Sequence, residues 1–245
     1  MKEKKEIKEV LGHLRKLLMA NQETGLDLPF ISADSLKSLD IKTDRDSKPS
    51  GQPENAESLE QLRSLIGDCR RCKLHKDRNN IVFGEGSARA RLVFVSEGPG
   101  QDEDREGRPF VGKAGKLLTK IIQNGMGLTR EEVYICNVVK CRPPGNRDPE
   151  KDEIGACIPF LKQQLNIIRP EVICILGRVA GQALSKKDFR ITRERGMWHS
   201  YMDIPVMPTY HPAYILRNRS RERELKGDVW EDIKKIMKRL GLSKK

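Results

Sequence analysis

Short apolar runs alternate with amphipathic segments from residue 58 to the end of the chain. Four runs are rich in β-branched residues and are predicted to form strands: RLVFVSEG (91–98), VYICNVV (133–139), EVICILG (171–177) and IPVMPTYHP (204–212). Apolar residues recur at helical spacing in 115–125, in 154–168 and in a last helix that carries Leu225, Val229, Trp230, Ile233, Ile236, Met237 and Leu240. Continuous apolar strands indicate a parallel sheet that is buried on both faces. We therefore predict an α/β fold, a three-layer sandwich with a central, mainly parallel four-stranded sheet flanked by helices.

The first 57 residues follow a different pattern. Residues 4–20 carry a stripe of Ile, Val and Leu at helical spacing among charges, which predicts an amphipathic helix. The stretch that follows is rich in Asp, Ser, Pro and Lys and is predicted to be disordered, because it cannot bury much apolar surface. We therefore divide the chain into 1–57, a helix plus disordered linker, and 58–245, the domain that carries the chemistry. The helix is a candidate docking element for a protein partner.

Basic charge is concentrated in the second part of the chain. The 245 residues include 47 Lys/Arg and 35 Asp/Glu, for a net charge of +12. Residues 1–57 hold 10 basic and 11 acidic residues, which leaves 37 basic and 24 acidic residues for 58–245. A basic folded domain favours an anionic partner, above all nucleic acid. No apolar run approaches the length of a membrane span, so we expect a cytoplasmic monomer with no membrane contact.

The segments that follow the predicted strands are candidates for a binding site. The carboxyl ends of parallel strands meet at one edge of a sheet, where such folds bind ligands. These ends read SEGPG, CNVVKCRPP, GRVAG and TYHPAY, and three of the four resemble site loops rather than plain turns. The segment GRPFVGKA (107–114) has the spacing of a phosphate-binding loop, but Ala114 replaces the hydroxyl residue that binds magnesium. We therefore exclude binding of nucleoside triphosphates.

The six cysteines fall into two groups. Cys136 and Cys174 lie inside predicted strands and are interpreted as core residues. The other four lie in loops or at a helix start: Cys69, Cys72, Cys141 and Cys157. Four thiolates suit either tetrahedral zinc or an iron–sulfur cluster, and the spacing alone favours neither. His75 is an alternative zinc ligand.

Several motifs occur together in one order: CRRC, FGEG, SEGPGQDEDREGRPFVGKAGKLL, YICNVVKCRPPGNRDP, the position of Cys157, and HPAYILR. This set resembles the family 4 uracil-DNA glycosylases of the iron–sulfur type. The resemblance implies a DNA repair enzyme that flips deoxyuridine out of DNA and hydrolyses its N-glycosidic bond, releasing uracil and leaving an abasic site. It also implies a [4Fe-4S] cluster on Cys69, Cys72, Cys141 and Cys157, and uracil-containing DNA, single- or double-stranded, as the partner. One departure is Ser96, where the family motif begins with Gly.

The resemblance also implies roles for residues at the strand ends. The predicted uracil contacts are Glu97, Gly98, Pro99, Phe110, Asn137 and His211. Phe110 would stack on the base, and the Asn137 amide offers an acceptor and a donor to N3–H and O4. His211, as a neutral imidazole, would donate to uracil O2, where negative charge grows as the bond breaks. Glu97 would orient or deprotonate the attacking water, or stabilise a sugar cation, which makes Glu97 and His211 the predicted catalytic pair.

The loop after His211 is predicted to contact DNA. Its candidate residues are Tyr214, Ile215, Leu216, Arg217 and Arg219. The arginines suit phosphates, and one apolar side chain would wedge into the space that the base vacates. One alternative is a non-catalytic nucleic-acid-binding module that is stabilised by a bound zinc ion. This alternative does not explain the residues clustered at the strand ends. A second alternative, an electron carrier, requires neither a basic surface nor a base-sized pocket.

Overall fold

The computed structural model describes residues 53–185 and 188–243. The predicted N-terminal helix and most of the predicted linker lie outside the described residues, so the division at residue 57 stays a prediction. Within the described ranges, no helix is both long and apolar enough to cross a membrane.

One mixed six-stranded sheet forms the centre of the described part. Its strands are β1 (Glu85–Gly86), β2 (Leu92–Ser96), β3 (Tyr134–Asn137), β4 (Val172–Leu176), β5 (His199–Tyr201) and β6 (Ile204–Thr209), in the spatial order β1-β3-β2-β4-β6-β5. The four predicted strands are β2, β3, β4 and β6, and they are parallel. The predicted number of strands is wrong, because β1 and β5 add antiparallel edges. Strands of two and three residues are too short to produce a hydrophobic pattern.

Eight α-helices flank the sheet in the described residues. They are α1 (Leu59–Ile66), α2 (Gln101–Glu106), α3 (Lys113–Lys120), α4 (Lys151–Ile168), α5 (Arg178–Leu184), α6 (Ile191–Glu194), α7 (Pro212–Arg217) and α8 (Glu222–Arg239). A π-helical segment (Ile121–Met126) continues α3, so the predicted helix 115–125 is α3 plus this segment. The predicted helix 154–168 is α4, and the predicted last helix is α8. Helix α4 begins three residues earlier than predicted, because its polar first turn carries no apolar signal.

Helices cover both faces of the sheet. In β2, Val93 and Val95 face a hydrophobic cluster formed with α1, α4 and α5, whereas Leu92 and Phe94 face a second cluster formed with α3 and α8. Side chains alternate between the two faces of a strand, so a sheet covered on both sides requires continuous apolar runs. Cys136 and Cys174 are fully buried in β3 and β4, which confirms that they are core residues.

Candidate active site

A cavity of about 480 Å³ lies at the carboxyl ends of the four parallel strands. β3 lies on one side of β2 and β4, which comes later in the chain, lies on the other, so the strand order reverses at β2. Open parallel sheets bind ligands where the strand order reverses. All four strand ends contribute to the lining, whereas the sequence indicated only three site loops. All six predicted uracil contacts line the cavity: Glu97, Gly98, Pro99, Phe110, Asn137 and His211. The structure therefore brings these residues together.

The register between β2 and β3 places Glu97 next to Asn137. Ser96, the last residue of β2, pairs with Asn137, the last residue of β3. Two further backbone hydrogen bonds extend the pairing beyond β3, from Val138 N–H to Ser96 O (2.8 Å) and from Val139 N–H to Glu97 O (3.0 Å). Ser96 is buried and does not line the cavity, so Ser at this position leaves the pairing of the strand ends intact.

The Asn137 amide has an unused acceptor. Its side chain lines the cavity while the residue is only 1% exposed. Among the described residues, no donor forms a hydrogen bond to Oδ1. Buried polar atoms almost always have a partner, so a buried amide oxygen without one is available to a ligand.

His211 combines two structural roles with its place in the cavity wall. It is the N-cap of α7, and the backbone N–H of Ala213 donates to Nδ1 (3.0 Å). Burial, and then the positive charge of Arg217, lower the pKa of His211 to about 4. The imidazole is therefore neutral at pH 7, and because Nδ1 accepts, its proton is on Nε2. The ring centroid lies 5.6 Å from that of Phe110.

Phe110 lies in a loop that side chains hold in a strained conformation. Its φ of 55° is unusual for a residue other than glycine. The Glu103 carboxylate accepts from the next two backbone N–H groups (both 2.9 Å). Arg130 donates to the Phe110 carbonyl (3.2 Å) and to the preceding carbonyl (2.8 Å). A Cβ on Gly115 would lie 1.9 Å from the Phe110 carbonyl oxygen, so only glycine allows α3 to approach this closely.

Glu97 has a carboxyl group that titrates near neutrality. Burial, and to a smaller extent the negative charge of Asp148, raise the pKa of Glu97 to about 7. The positive charges of Arg178 and Arg217 act in the opposite direction. A carboxyl group whose pKa lies near the working pH suits acid–base chemistry, and such shifts are typical of functional sites.

The sequence reasoning missed several residues that line the cavity, among them Glu103, Asn146, Asp148, Arg178 and Tyr210. Arg178 is the second residue after the end of β4, and it forms a salt bridge with Asp148. Its position after a parallel strand was the signal that could have identified it. Glu103 lies in α2, a short charged helix that resembles a solvated turn when only its sequence is considered.

The loop predicted to contact DNA is mainly helix α7. Tyr214 and Arg217 line the cavity, and Arg217 and Arg219 are exposed. Leu216 is partly exposed. Ile215 is only 1% exposed and packs in the cluster of α3 and α8, so its side chain is enclosed in this conformation. Its contact with DNA stays a prediction.

The four cysteines predicted to bind a metal lie against the same hydrophobic cluster. Burial raises the pKa of Cys141 to about 11 and that of Cys157 to about 12. Smaller contributions come from Cys72 and Cys69 at Cys141 and from Cys141 and Cys69 at Cys157, so the four thiols lie near one another. Among the described residues, no group of three or more His, Cys, Asp or Glu side chains is arranged to hold a metal ion. His75 uses Nδ1 to contact the Cys72 carbonyl (2.8 Å).

Hydrogen-bond donors point at three of these four sulfur atoms. Arg71 donates to Cys69 Sγ (3.3 Å) and Arg78 donates to Cys141 Sγ (3.4 Å). The backbone N–H of Lys140 donates to Cys157 Sγ (3.3 Å). Such donors stabilise thiolates, and hydrogen bonds to sulfur are a regular feature of iron–sulfur sites. The chemistry around the cysteines is therefore compatible with an anionic metal–thiolate centre.

Comparison with known proteins identifies the family. The sequence model of the uracil DNA glycosylase superfamily matches residues 83–234. The type-4 uracil-DNA glycosylase of Sulfurisphaera tokodaii is 48% identical over 188 residues, which cover 74% of this chain and 84% of that protein. The Thermotoga maritima type-4 enzyme is 49% identical over 181 residues, 73% of this chain and 93% of that protein. A type-5 uracil-DNA glycosylase of Pyrobaculum aerophilum is 28% identical over 179 residues, which cover 66% of this chain and 79% of that protein. The chain therefore belongs to the uracil DNA glycosylase superfamily and, within it, to the type-4 uracil-DNA glycosylases.

Proposed function

We propose that the cavity receives a deoxyuridine flipped out of DNA and that its residues carry out the uracil-DNA glycosylase reaction of base excision repair. The enzyme hydrolyses the N-glycosidic bond, releases uracil and leaves an abasic site. The observation that carries this assignment of the site is the buried, unpaired Oδ1 of Asn137 in the cavity wall. Family membership does not support the alternative of a non-catalytic module stapled by zinc.

Three side chains recognise the base. Asn137 Oδ1 accepts from uracil N3–H while its amide nitrogen donates to O4. Phe110 covers the face of the ring, and His211 Nε2–H donates to O2. Cytosine has an unprotonated N3 and a donor at C4, so it would leave the Asn137 amide without matching partners. An unpaired buried group costs about 1–3 kcal/mol, which contributes tenfold or more in discrimination.

Cleavage leaves an electron pair on uracil N1, and the negative charge spreads to O2. A neutral imidazole that donates from Nε2 stabilises this charge, and it does so more strongly in a cavity that excludes water. Water attacks C1′ of the sugar, and its proton passes to the Glu97 carboxylate. The ionised carboxylate also stabilises positive charge on the sugar, so the reaction needs Glu97 deprotonated and His211 neutral.

DNA is held by the exposed residues beside the cavity. Arg217 and Arg219 bind phosphates that flank the flipped nucleotide. Tyr214 or Leu216 fills the space that the base leaves in the stack. The surface suits single- or double-stranded DNA. A protein partner for the N-terminal helix, the monomeric state and the cytoplasmic location stay predictions.

We further propose that Cys69, Cys72, Cys141 and Cys157 hold a [4Fe-4S] cluster. The directed N–H donors at three of the sulfurs support this assignment, as does the family. When bound, the cluster supplies a covalent tie between segments that are distant in sequence. The cysteines therefore stabilise the loops that lead to the active site.

The direct test of the function is excision from a labelled oligonucleotide that contains one deoxyuridine. The oligonucleotide is incubated with the protein, alone and paired with a complementary strand, and then cleaved with alkali. Strand scission at the uracil position is expected, and none at cytosine or thymine. An intact uracil strand after prolonged incubation with folded protein would refute the proposal.

Replacing Asn137 tests base recognition. Asn137→Asp should slow single-turnover excision at least tenfold, because an ionised carboxylate repels O4 and cannot donate to it. Asn137→Ala should also lose activity but keep its affinity for DNA, since the phosphate contacts lie elsewhere. Asn124→Asp, on an exposed surface outside the cavity, is the control and should match the parent. Excision by both Asn137 variants within a few-fold of the parent would show that this residue does not recognise uracil.

The pH dependence of excision tests Glu97. Because burial raises its pKa to about 7, the active carboxylate form is lost as the pH falls through 7. The rate of the parent should therefore rise with pH and level off above about pH 8. Glu97→Gln should be at least about a hundredfold slower and should lack this rise. The exposed Glu106→Gln is the control, and a pH rise that persists in Glu97→Gln would assign the titration to another group.

Metal content tests the cysteine assignment. Protein purified without oxygen should be brown and contain iron and sulfide, and Cys141→Ala should lose both colour and iron. Cys174→Ala, which alters a core cysteine of β4, should keep them. Stoichiometric zinc without iron in the parent would contradict the cluster.

A further inference from the structure

Lys140 has an ammonium group that is enclosed in the core. The residue is 1% exposed and lies in the loop after β3, directly before Cys141. Its Nζ donates to the main-chain carbonyl of Asn137 (2.7 Å) and to Oε1 of Gln164 on α4 (2.6 Å). Its backbone N–H donates to Sγ of Cys157 (3.3 Å). One residue therefore contacts the strand end that recognises the base, the helix α4 and a proposed cluster ligand.

No carboxylate lies within ion-pair distance of this ammonium in the described part of the chain. Burial lowers the pKa of Lys140, and the thiols of Cys136, Cys157 and Cys141 act in the opposite direction. Neutral oxygen acceptors alone do not offset the cost of removing an ammonium from water. A metal cluster held by four thiolates carries net negative charge and would supply the missing counter-charge.

Gln164 fixes the ammonium from the other side. It is fully buried, and its Nε2 donates to the Phe83 carbonyl (2.8 Å) and to the Tyr134 hydroxyl (2.9 Å). Because both ends of the amide are bonded, it cannot turn, and Oε1 stays directed at Lys140. The position of the ammonium is therefore set by α4 and the core.

We propose that Lys140 is a positioning residue that ties the cysteine centre to the strand end that recognises uracil. On one side, the backbone N–H of Lys140 donates to Cys157 Sγ, and the negative charge of a bound cluster would attract the ammonium. On the other side, its hydrogen bond to the Asn137 carbonyl holds the main chain from which the recognising amide projects. The inference rests on the proposed function, because it assumes that Asn137 contacts uracil. On this proposal, the cysteine centre helps to position the Asn137 amide and transfers no electron in the reaction.

The test compares Lys140→Met with the parent. Methionine removes the charge and keeps a long unbranched side chain. Single-turnover excision should fall about tenfold or more, because small displacements of a reacting geometry have large effects on rate. Affinity for uracil-containing duplex should stay within about twofold, because the phosphate contacts lie elsewhere. The reduction potential of the cluster should become more negative, because a nearby cation that favours the reduced state is lost.

Lys73→Met is the matched control. Lys73 directly follows Cys72, its side chain is 44% exposed, and its Nζ donates to Glu150 (2.6 Å). Its replacement therefore removes a cation near a cysteine without changing a contact of Asn137. Both its excision rate and its reduction potential should match those of the parent.

A second variant keeps the test decisive if Lys140→Met does not fold. Gln164→Met retains the ammonium but removes one of its two oxygen partners, so excision should slow about threefold or more while the reduction potential is unchanged. Tyr134→Phe, which removes another bond of Gln164 and leaves Lys140 untouched, is its control.

The outcomes separate the inference from the function on which it rests. A parent that does not excise uracil contradicts the proposed function. If the parent is active and Lys140→Met excises uracil at the parental rate, the role of Lys140 is overturned. If only Gln164→Met folds, excision at the parental rate in that variant has the same meaning. Slower excision in Lys140→Met with an unchanged reduction potential overturns the tie to the cysteine centre.

Discussion

The parallel pairing of β2 with β3 is the constraint on which the site depends. Ser96 and Asn137 are the last paired residues of these strands, and the two chains leave the sheet side by side. The register that buries apolar residues on both faces therefore also delivers Glu97 and Asn137 to one cavity. A shift of one residue would turn the Asn137 side chain toward the opposite face, where α4 and the cysteines lie. Correct core packing and correct placement of the site are consequently the same requirement.

Burial in the cavity moves Glu97 and His211 toward their neutral forms. It raises the pKa of Glu97 to about 7 and lowers that of His211 to about 4. At neutral pH the imidazole is therefore a neutral donor, while a substantial fraction of Glu97 is ionised. The hydrogen bond from the Ala213 backbone N–H to Nδ1 also fixes the tautomer of His211, because it leaves Nε2–H as the donor. The central claim is that this neutral, oriented imidazole stabilises the departing uracil.

The sequence predicts the framework better than the details of the site. The four long strands and the helices α4 and α8 follow from apolar periodicity, whereas β1 and β5 are too short to leave a pattern. The motifs identify all six predicted uracil contacts, and the structure brings them together in one cavity. The burial of Ile215 could not be predicted from the motif, because the direction of its side chain depends on where α7 begins. The enclosure of Lys140 could not be predicted, since lysine is almost always exposed and only the packing of α4 buries it.

The most direct test of the central claim is a nuclear magnetic resonance titration of isotope-labelled histidine in the folded protein. The nitrogen chemical shifts report both the protonation state and the tautomer of His211. The account predicts a neutral ring at pH 7 with the proton on Nε2 and a titration near pH 4. His211→Gln identifies the resonance. An imidazolium at pH 7, or a neutral ring protonated on Nδ1, would contradict the account.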